Sequence, residues 1–320
     1  MIPVLDAIST SNNVLVISHI RPDGDAIGSL IGMGMLLSQL GKKVTLFNES
    51  GIPDLYRFIP MTDQVITQVP EIEFDTAILL DCANIDRVGS QLDRIQKIPT
   101  LINIDHHAVN SRYGTAWIDS TLSSTCELVY QLAQKMQLAI TVDFAIAIYA
   151  GIMTDTSSFR NESTNLNSFL TTVSLLETGF SPSYVAEKIY GSHSVARLQL
   201  IRIMIEHMKL FEKDQVWFSV LPHTEIKDLG AREKDIIGLI EYGKGLKAVR
   251  LAALAEEMSP GSAFRYQISI RTRPGLNAAE FAKQFSGGGH PRAAGFSTNL
   301  SLREIQIQLI QFVQDSLKNS

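Results

Sequence analysis

The stretch VLVISHIRPDGDAIGSLIGMGMLLSQLGKK, residues 14–43, opens as a short apolar run, turns through a polar segment and leaves it as a helical pattern. VLVIS, residues 14–18, has the near-continuous apolar character of a strand covered on both faces. From Asp25 onward, apolar residues recur at Ile27, Leu30, Ile31, Leu37 and Leu40, with Gly41 as the expected stop. Gly28, Gly32 and Gly34 on that helix would let a neighbouring backbone come close. Between strand and helix, SHIRPDGDAIGS sets His19, Asp23 and Asp25 within seven residues. Two carboxylates ~4 Å apart at an effective dielectric of about 20 repel by about 4 kcal/mol, so a positive partner is expected in this turn.

The same punctuation recurs along the first half. VTLF (44–47), TAILLD (76–81) and TLINID (100–105) read as further buried strands separated by helical patterns, which is the grammar of an α/β, doubly wound, mainly parallel sheet. In such sheets ligands gather beyond the carboxyl ends of the strands. His19 follows VLVIS, Asp81 closes TAILLD, and Asp105, His106 and His107 close TLINI. Cys82, next to Asp81, points to the opposite face and reads as packing. SSTCELVYQLAQKM starts with Ser124 and Glu127 at capping-box spacing, so its first amides serve either a plain cap or an anion. FAIAIYAGIMTDTSSF is expected to be a buried helix ending near Gly151 or Met153, with Asp155 in the loop beyond. Helices over 165–178 and 182–190 follow, the second announced by Ser181 and Pro182.

Four acidic residues, Asp23, Asp25, Asp81 and Asp155, supply four negative charges that two divalent cations would neutralise, and His19 and His106 add nitrogen ligands. Mixed imidazole and carboxylate donors suit Mn²⁺, with Zn²⁺, Co²⁺ and Mg²⁺ as competitors. The two cysteines, Cys82 and Cys126, have neither metal-ligand spacing nor the number for a disulfide framework. The formal net charge of -5 and a pI near 5.8 weigh against long nucleic acids held through many phosphates and leave room for a small anionic substrate. MIPVLDAISTSNN lacks the regions of a signal peptide and no apolar run spans a membrane, so a cytoplasmic location is expected.

Beyond YGSHSVARLQL the pattern changes. A connecting helix over 195–212 leads into QVWFSVL, LKAVRLAALAEE and FRYQISIRTR, at strand length, with helical stretches near 231–242, 277–285 and 301–317. The expected organisation is a first domain over 1–190, a linker helix region over 191–205, and a smaller α/β domain over 206–320, with the active-site cleft between the two domains.

Taken together, SHIRPDGDAIGS, LLDCAN, IDHHAVN, GIMTDTSSF and SGGGHPRAAGF resemble, in family order, the DHH phosphoesterase family with its associated DHHA1 domain. The size and architecture are most similar to its NrnA-like branch, the bifunctional oligoribonucleases, or nanoRNases, that are also 3'-phosphoadenosine 5'-phosphate (pAp) phosphatases. The resemblance implies one metal ion held by His19, Asp23 and Asp81 and a second by Asp25, Asp81, His106 and Asp155. It implies that Asp105 orients an imidazole and that His107 faces substrate as phosphate ligand or proton donor. Two-metal activation of a bridging hydroxide would then hydrolyse very short 5'-phosphorylated oligoribonucleotides, pApA and pGpG among them, to mononucleotides, and release the 3'-phosphate of pAp. In the DHHA1 signature, Gly287, Gly288, Gly289 and His290 are implied to contact substrate, the glycines turning backbone N–H groups toward an anion. Arg271 is implied to bind substrate phosphate, with Arg265, Arg273 and Arg292 as nearby alternatives; Arg160 is a further candidate or a solvated loop residue. His193, His207 and His223 read as structural or surface residues. Family members are often dimers, which makes a homodimer one assembly to test, although no interface stripe stands out.

Rival readings meet specific objections. A RecJ-like single-strand DNA exonuclease needs an extended basic or stacking groove, for which 320 residues at this pI leave little room. An inorganic pyrophosphatase lacks SGGGHPRAAGF, and a membrane-bound cyclic-dinucleotide phosphodiesterase needs transmembrane segments. A metal-stabilised nucleotide-binding regulatory protein without turnover would be favoured by a missing ligand, and every ligand position of the family pattern is filled.

Overall fold

Alternation along β1, Asn13–Ser18, organises the first half: Val14 and Val16 enter one core, Leu15 and Ile17 another, all fully buried. A strand with period-two side chains and apolar residues at every position must be covered on both sides. The computed structural model describes residues 1–191 and 193–318, and the chain divides into two units, Met1–Ser192 and His193–Ser320.

In the first unit, α1 (Ile2–Thr10) precedes β1, and α2 (Gly24–Gln39) carries the chain to β2 (Lys43–Phe47). Then come β3 (Thr76–Leu80), the short α3 (Leu92–Ile95), β4 (Thr100–Asp105) and β5 (Thr115–Ile118), followed by α4 (Thr125–Lys135), α5 (Val142–Asp155), α6 (Leu166–Leu176) and α7 (Pro182–Tyr190). The five strands are parallel in the order β2-β1-β3-β4-β5. On one face Ile78, Leu80, Ile102 and Ile104 join α2, α4 and α5. On the other, Ala77 and Leu79 pack with Val88 and Ile95 of the β3–β4 connection. The sheet is doubly wound, as the sequence leads one to expect. Its chain order reverses between β1 and β3, so the crevice at their carboxyl ends is the natural ligand position.

Three features of this unit differ from the sequence reading. Helix α1 and strand β5 are additional elements; α1 buries only Val4 and Ile8, and β5 is a four-residue edge strand, so neither leaves a long periodic signal. Helix α5 does not stop at Gly151 or Met153: Asp155 is its last residue, in the helix and not in the following loop. The helix ends where Ser157, Ser158 and Phe159 take left-handed φ values of 50, 61 and 61°. Cys82 is buried on the face opposite α2 as packing.

The second unit starts with α8 (Val195–Glu206), whose Leu200, Ile203 and Met204 pack against Trp217 and Leu221 of its own sheet. Strands β6 (Lys209–Phe211) and β7 (Val216–Leu221) are followed by α9 (His223–Asp228), α10 (Glu233–Ile236) and α11 (Ile240–Lys244). Then come β8 (Leu251–Glu257), β9 (Tyr266–Thr272), α12 (Ala278–Lys283), β10 (Gly288–His290), β11 (Ala293–Thr298) and α13 (Leu302–Lys318). The sheet order is β10-β11-β9-β8-β7-β6, and only β7 and β8 run parallel. Helices α12 and α13 cover one face through Phe281 and Leu309; α8 and Ile240 of α11 cover the other. The helical stretch expected near 231–242 is broken at Gly238, with φ +81°, and LKAVR precedes β8 instead of belonging to it. SGGGHPRAAGF forms a β-hairpin, β10 paired antiparallel with β11. Among the described residues no helix is long and apolar enough to cross a membrane.

Helices α2, α4 and α5 meet at Gly28. A Cβ there would lie 2.8 Å from Cys126 Sγ and press still harder on the Ala147 carbonyl oxygen, which belongs to backbone and cannot swing away. Gly28→Ala is therefore expected to destabilise the first unit by about 1–3 kcal/mol. Urea titration of both variants checks this: Gly288→Ala, whose Cβ would meet nothing within 4 Å, should leave stability unchanged.

Candidate metal centre

The carboxyl ends of β1, β3 and β4 deliver the side chains. His19 follows β1, held by Asn48 Nδ2, which donates to the Ser18 hydroxyl at 2.9 Å and to the His19 carbonyl at 2.8 Å. His19 Nδ1 lies 2.8 Å from the Ile20 carbonyl, an acceptor only, so Nδ1 carries the proton and Nε2 is left as the ligand atom, 3.4 Å from Asp81 Oδ2. Asp23 caps α2 by accepting from the Asp25 and Ala26 amides at 3.1 and 3.0 Å. Asp81 sits immediately after β3 with φ 58°, a left-handed conformation that a non-glycine residue adopts at some cost and that is found at functional turns. Its two oxygens face different neighbours: Oδ2 faces His19, while Oδ1 lies 3.7 Å from His106 Nε2, 3.3 Å from His107 Nδ1 and 3.2 Å from the Thr125 hydroxyl.

Asp25 is buried in the first turn of α2 and accepts the leading amides of α4, Thr125 N–H at 2.7 Å and Cys126 N–H at 2.9 Å. Ser124 caps α4 as its sequence suggests, and the anion on the helix N-terminus is the chain's own carboxylate. His106 Nε2 lies 3.4 Å from Asp155 Oδ2 and 3.9 Å from Asp25 Oδ2. Asp105, fully buried, accepts on Oδ1 from the His106 and His107 amides and from His107 Nδ1 at 2.7 Å, and on Oδ2 from Asn110 at 2.6 Å. The imidazole it orients is that of His107.

Potential ligand atoms fall into three groups, each with all its atoms within 4.8 Å of one another: His19, Asp23 and Asp81; Asp25, His106 and Asp155; and Asp81, Asp105, His106 and His107. All eight residues singled out in the first half of the sequence thus come together at one sheet edge. Sequence reasoning assigned no role to Thr125, Asn110 and Asn48, although Asn110 closes IDHHAVN and Thr125 stands in SSTCELVYQLAQKM. The donor set of carboxylates with imidazole nitrogens suits a divalent cation.

The electrostatics point the same way. Burial, reinforced by the charges of Asp81 and Asp23, holds the Asp25 carboxyl well above the usual range, and burial with Asp25, Asp23 and Asp81 does the same to Asp155. Burial would raise Asp81 as well, but hydrogen bonds and charge from His107 and His19 hold it well below the usual range. Burial would lower His107, yet Asp105 and Asp81 push it up to about 11.

In the second unit, His290 pairs with Ala293 across the hairpin and Ala293 pairs with Arg271, so His290 and Arg271 project from one face of the sheet with β11 between them. Arg271 Nε donates to Glu241 at 2.8 Å and its Nη1 to the Ile270 carbonyl. Arg273 and Arg292 hold backbone carbonyls, of Lys244 and Leu246 and of Arg273 and Leu276 respectively. Arg265 stacks on Tyr266 and faces Glu257. Gly287 lies too close to Phe296 for a Cβ, and Gly289, at φ +139°, sits against Ala294, so these two glycines serve hairpin closure, while Gly288 is open. Arg160 is exposed, with Nε on the Ser157 carbonyl.

Comparison with known proteins places both units. The family model "DHH family, N-terminal domain" matches residues 13–152, and "DHHA1 domain" matches residues 199–319. A Thermus thermophilus protein named "Bifunctional oligoribonuclease and PAP phosphatase NrnA" is 28% identical, over 95% of this chain and 90% of its own. A Streptococcus mutans protein named "Probable bifunctional oligoribonuclease and PAP phosphatase NrnA" is 26% identical over 94% of both chains. Among solved structures, an exopolyphosphatase-related protein from Bacteroides fragilis shares the fold, with a TM-score of 0.89 at 24% identity over 99% of this chain and 95% of that one.

Cation binding must displace protons from Asp25 and Asp155. A carboxyl whose folded pKa lies above its unfolded value keeps its proton when folded. The metal-free fold therefore loses stability as pH rises through the interval between the two values, and a cation gains affinity over the same interval. Mn²⁺ is expected to raise the Tm more at about pH 8 than at about pH 5.5, with proton release in calorimetry across buffers of different ionisation enthalpy. Equal Tm shifts at both pH values would contradict this assignment.

Proposed function

The chain belongs to the DHH phosphoesterase family, carries the DHHA1 domain and is a hydrolase, and from that premise we propose that it cleaves very short oligoribonucleotides to mononucleotides and removes the 3'-phosphate of pAp. Linear dinucleotides such as pApA and pGpG are in this substrate class. The observation that carries the reading is the pair of ligand groups that Asp81 faces with its two oxygens. The names of full-length relatives support the substrate class.

In this reading His19, Asp23 and Asp81 hold one divalent ion and Asp25, Asp81, His106 and Asp155 a second, with Mn²⁺ the best match to the donors. Two such ions, when bound, supply an acidified water and charge neutralisation for the phosphoryl and leaving oxygens. The chain's own residues do the rest. Asp81 joins the two groups through a carboxylate whose low pKa keeps it ionised. His107, protonated through its contacts with Asp105 and Asp81, donates to a phosphate oxygen and supplies the proton to the leaving oxygen. Asp105, pinned by two amides and Asn110, keeps that imidazole from rotating. In the second unit, Arg271, Gly287, Gly288, Gly289 and His290 form the substrate-binding set. Arg271 is favoured over its neighbours because Arg273 and Arg292 are committed to carbonyls that tie loops to the sheet.

With Mn²⁺ present, a 5'-phosphorylated RNA dinucleotide should go rapidly to mononucleotides and pAp should lose phosphate, while a long single-stranded DNA at equal concentration stays nearly intact. Preferential digestion of the DNA would move the protein to a RecJ-like activity, and wild-type turnover by Asp81→Ala would sink the shared-ligand centre. Arg271→Ala should raise KM for the dinucleotide about tenfold or more at unchanged Tm. Arg273→Ala should instead lower stability by about 1–3 kcal/mol; the opposite pattern would exchange their roles.

A further inference from the structure

Each imidazole in a metal centre needs one ring nitrogen anchored so that the other points at the ion. His19 has its anchor in the Ile20 carbonyl and His107 has its own in Asp105. His106 differs: Nε2 faces Asp25, Asp81 and Asp155, and Nδ1 makes no hydrogen bond to any described residue. Its sequence neighbour Asp105 does not serve, because it accepts from the two amides, His107 and Asn110.

Glu127 has the complementary unmet atom. It lies in the first turn of α4 and is fully buried. Its Oε1 accepts from the Ser123 hydroxyl and from the Ser123 amide at 3.3 Å. Its Oε2 is buried and has no hydrogen-bond partner among the described residues. Buried carboxylate oxygens are rarely left so, and such an atom calls for an explanation. Helix α4 packs against β4, at whose end His106 stands. The amides that hold Asp25, one of the carboxylates facing His106, belong to the same turn as Glu127. Burial pushes the Glu127 pKa up against the lowering effect of the Ser123 and Ser168 hydroxyls, and His106 is near enough to act on it as well.

We propose that Glu127 is a positioning residue for His106: the two side chains stand apart here, and when Nε2 takes up a cation the Nδ1–H turns onto the unpaired Oε2, fixing the tautomer that directs Nε2 at the Asp25 and Asp155 group. No covalent step is involved: the carboxylate sets the ring plane and makes Nε2 a stronger donor. The inference rests on the reading of His106 as a metal ligand.

The test uses the full chain with two variants, Glu127→Gln and His106→Ala. It reads the Mn²⁺ dissociation constant by calorimetry, the metal-free Tm and the histidine ¹H–¹⁵N spectrum of the Mg²⁺-loaded protein. Glu127→Gln keeps the shape but removes the charge, and is expected to weaken Mn²⁺ binding about tenfold or more while the metal-free Tm is unchanged or higher. If His106→Ala weakens binding and Glu127→Gln does not, the ligand reading stands and Glu127 is a packing residue only, which overturns the proposal. Wild-type affinity in His106→Ala would instead remove the ligand reading itself. The wild-type spectrum decides the matter even where a variant fails to fold: a slowly exchanging Nδ1–H on His106 is required, and an Nε2–H tautomer overturns it.

Discussion

The contact on which the first unit's centre depends is the buried carboxylate of Asp25 on the two leading amides of α4. Each such hydrogen bond contributes about 0.5–1.5 kcal/mol, and the helix N-terminus adds its partial positive charge. The contact closes only if the start of α2 reaches the start of α4, and the helices can come so near because Gly28 and Gly151 leave room for Cys126 between them. Glycines in α2 and α5 that look merely permissive in sequence are thus part of the site, since they set how closely its carboxylates crowd together.

That crowding is an electrostatic constraint. Five acidic residues converge on one sheet edge, and the chain resolves the repulsion by treating them differently: His107 and His19 keep Asp81 ionised, while burial and neighbouring charge hold Asp25 and Asp155 toward their neutral forms. Divalent cations would remove the need for that division, so the fold holds in reserve a repulsion that binding relieves.

The second unit sorts its basic residues by what they grip. Arg273 and Arg292 brace backbone carbonyls, and Arg265 lies over Tyr266. Arg271, held by an acidic side chain on α11, shares a sheet face with His290. A guanidinium paired with a carboxylate can exchange that partner for a phosphate, whereas one spent on carbonyls that close loops cannot do so without loosening the fold.

The sequence by itself determined the doubly wound sheet, the strand ends that carry His19, Asp81 and Asp105 to His107, and the chemistry of a mixed imidazole and carboxylate centre. These follow from local patterns, a period of two along strands and a motif placed just after each. It did not reveal α1, β5 or the hairpin at Gly288, which are short or half-apolar, nor that α5 runs on through Asp155, because a helix end there is set by three left-handed residues rather than by a glycine or proline. Only the tertiary structure decided that α4 meets Asp25 across one hundred residues of chain, that Asp105 serves His107 and not His106, and that Glu127 is buried with one oxygen unpaired. Those depend on which backbone groups lie a hydrogen bond apart after helices from distant segments pack together, and such distances have no period along the chain.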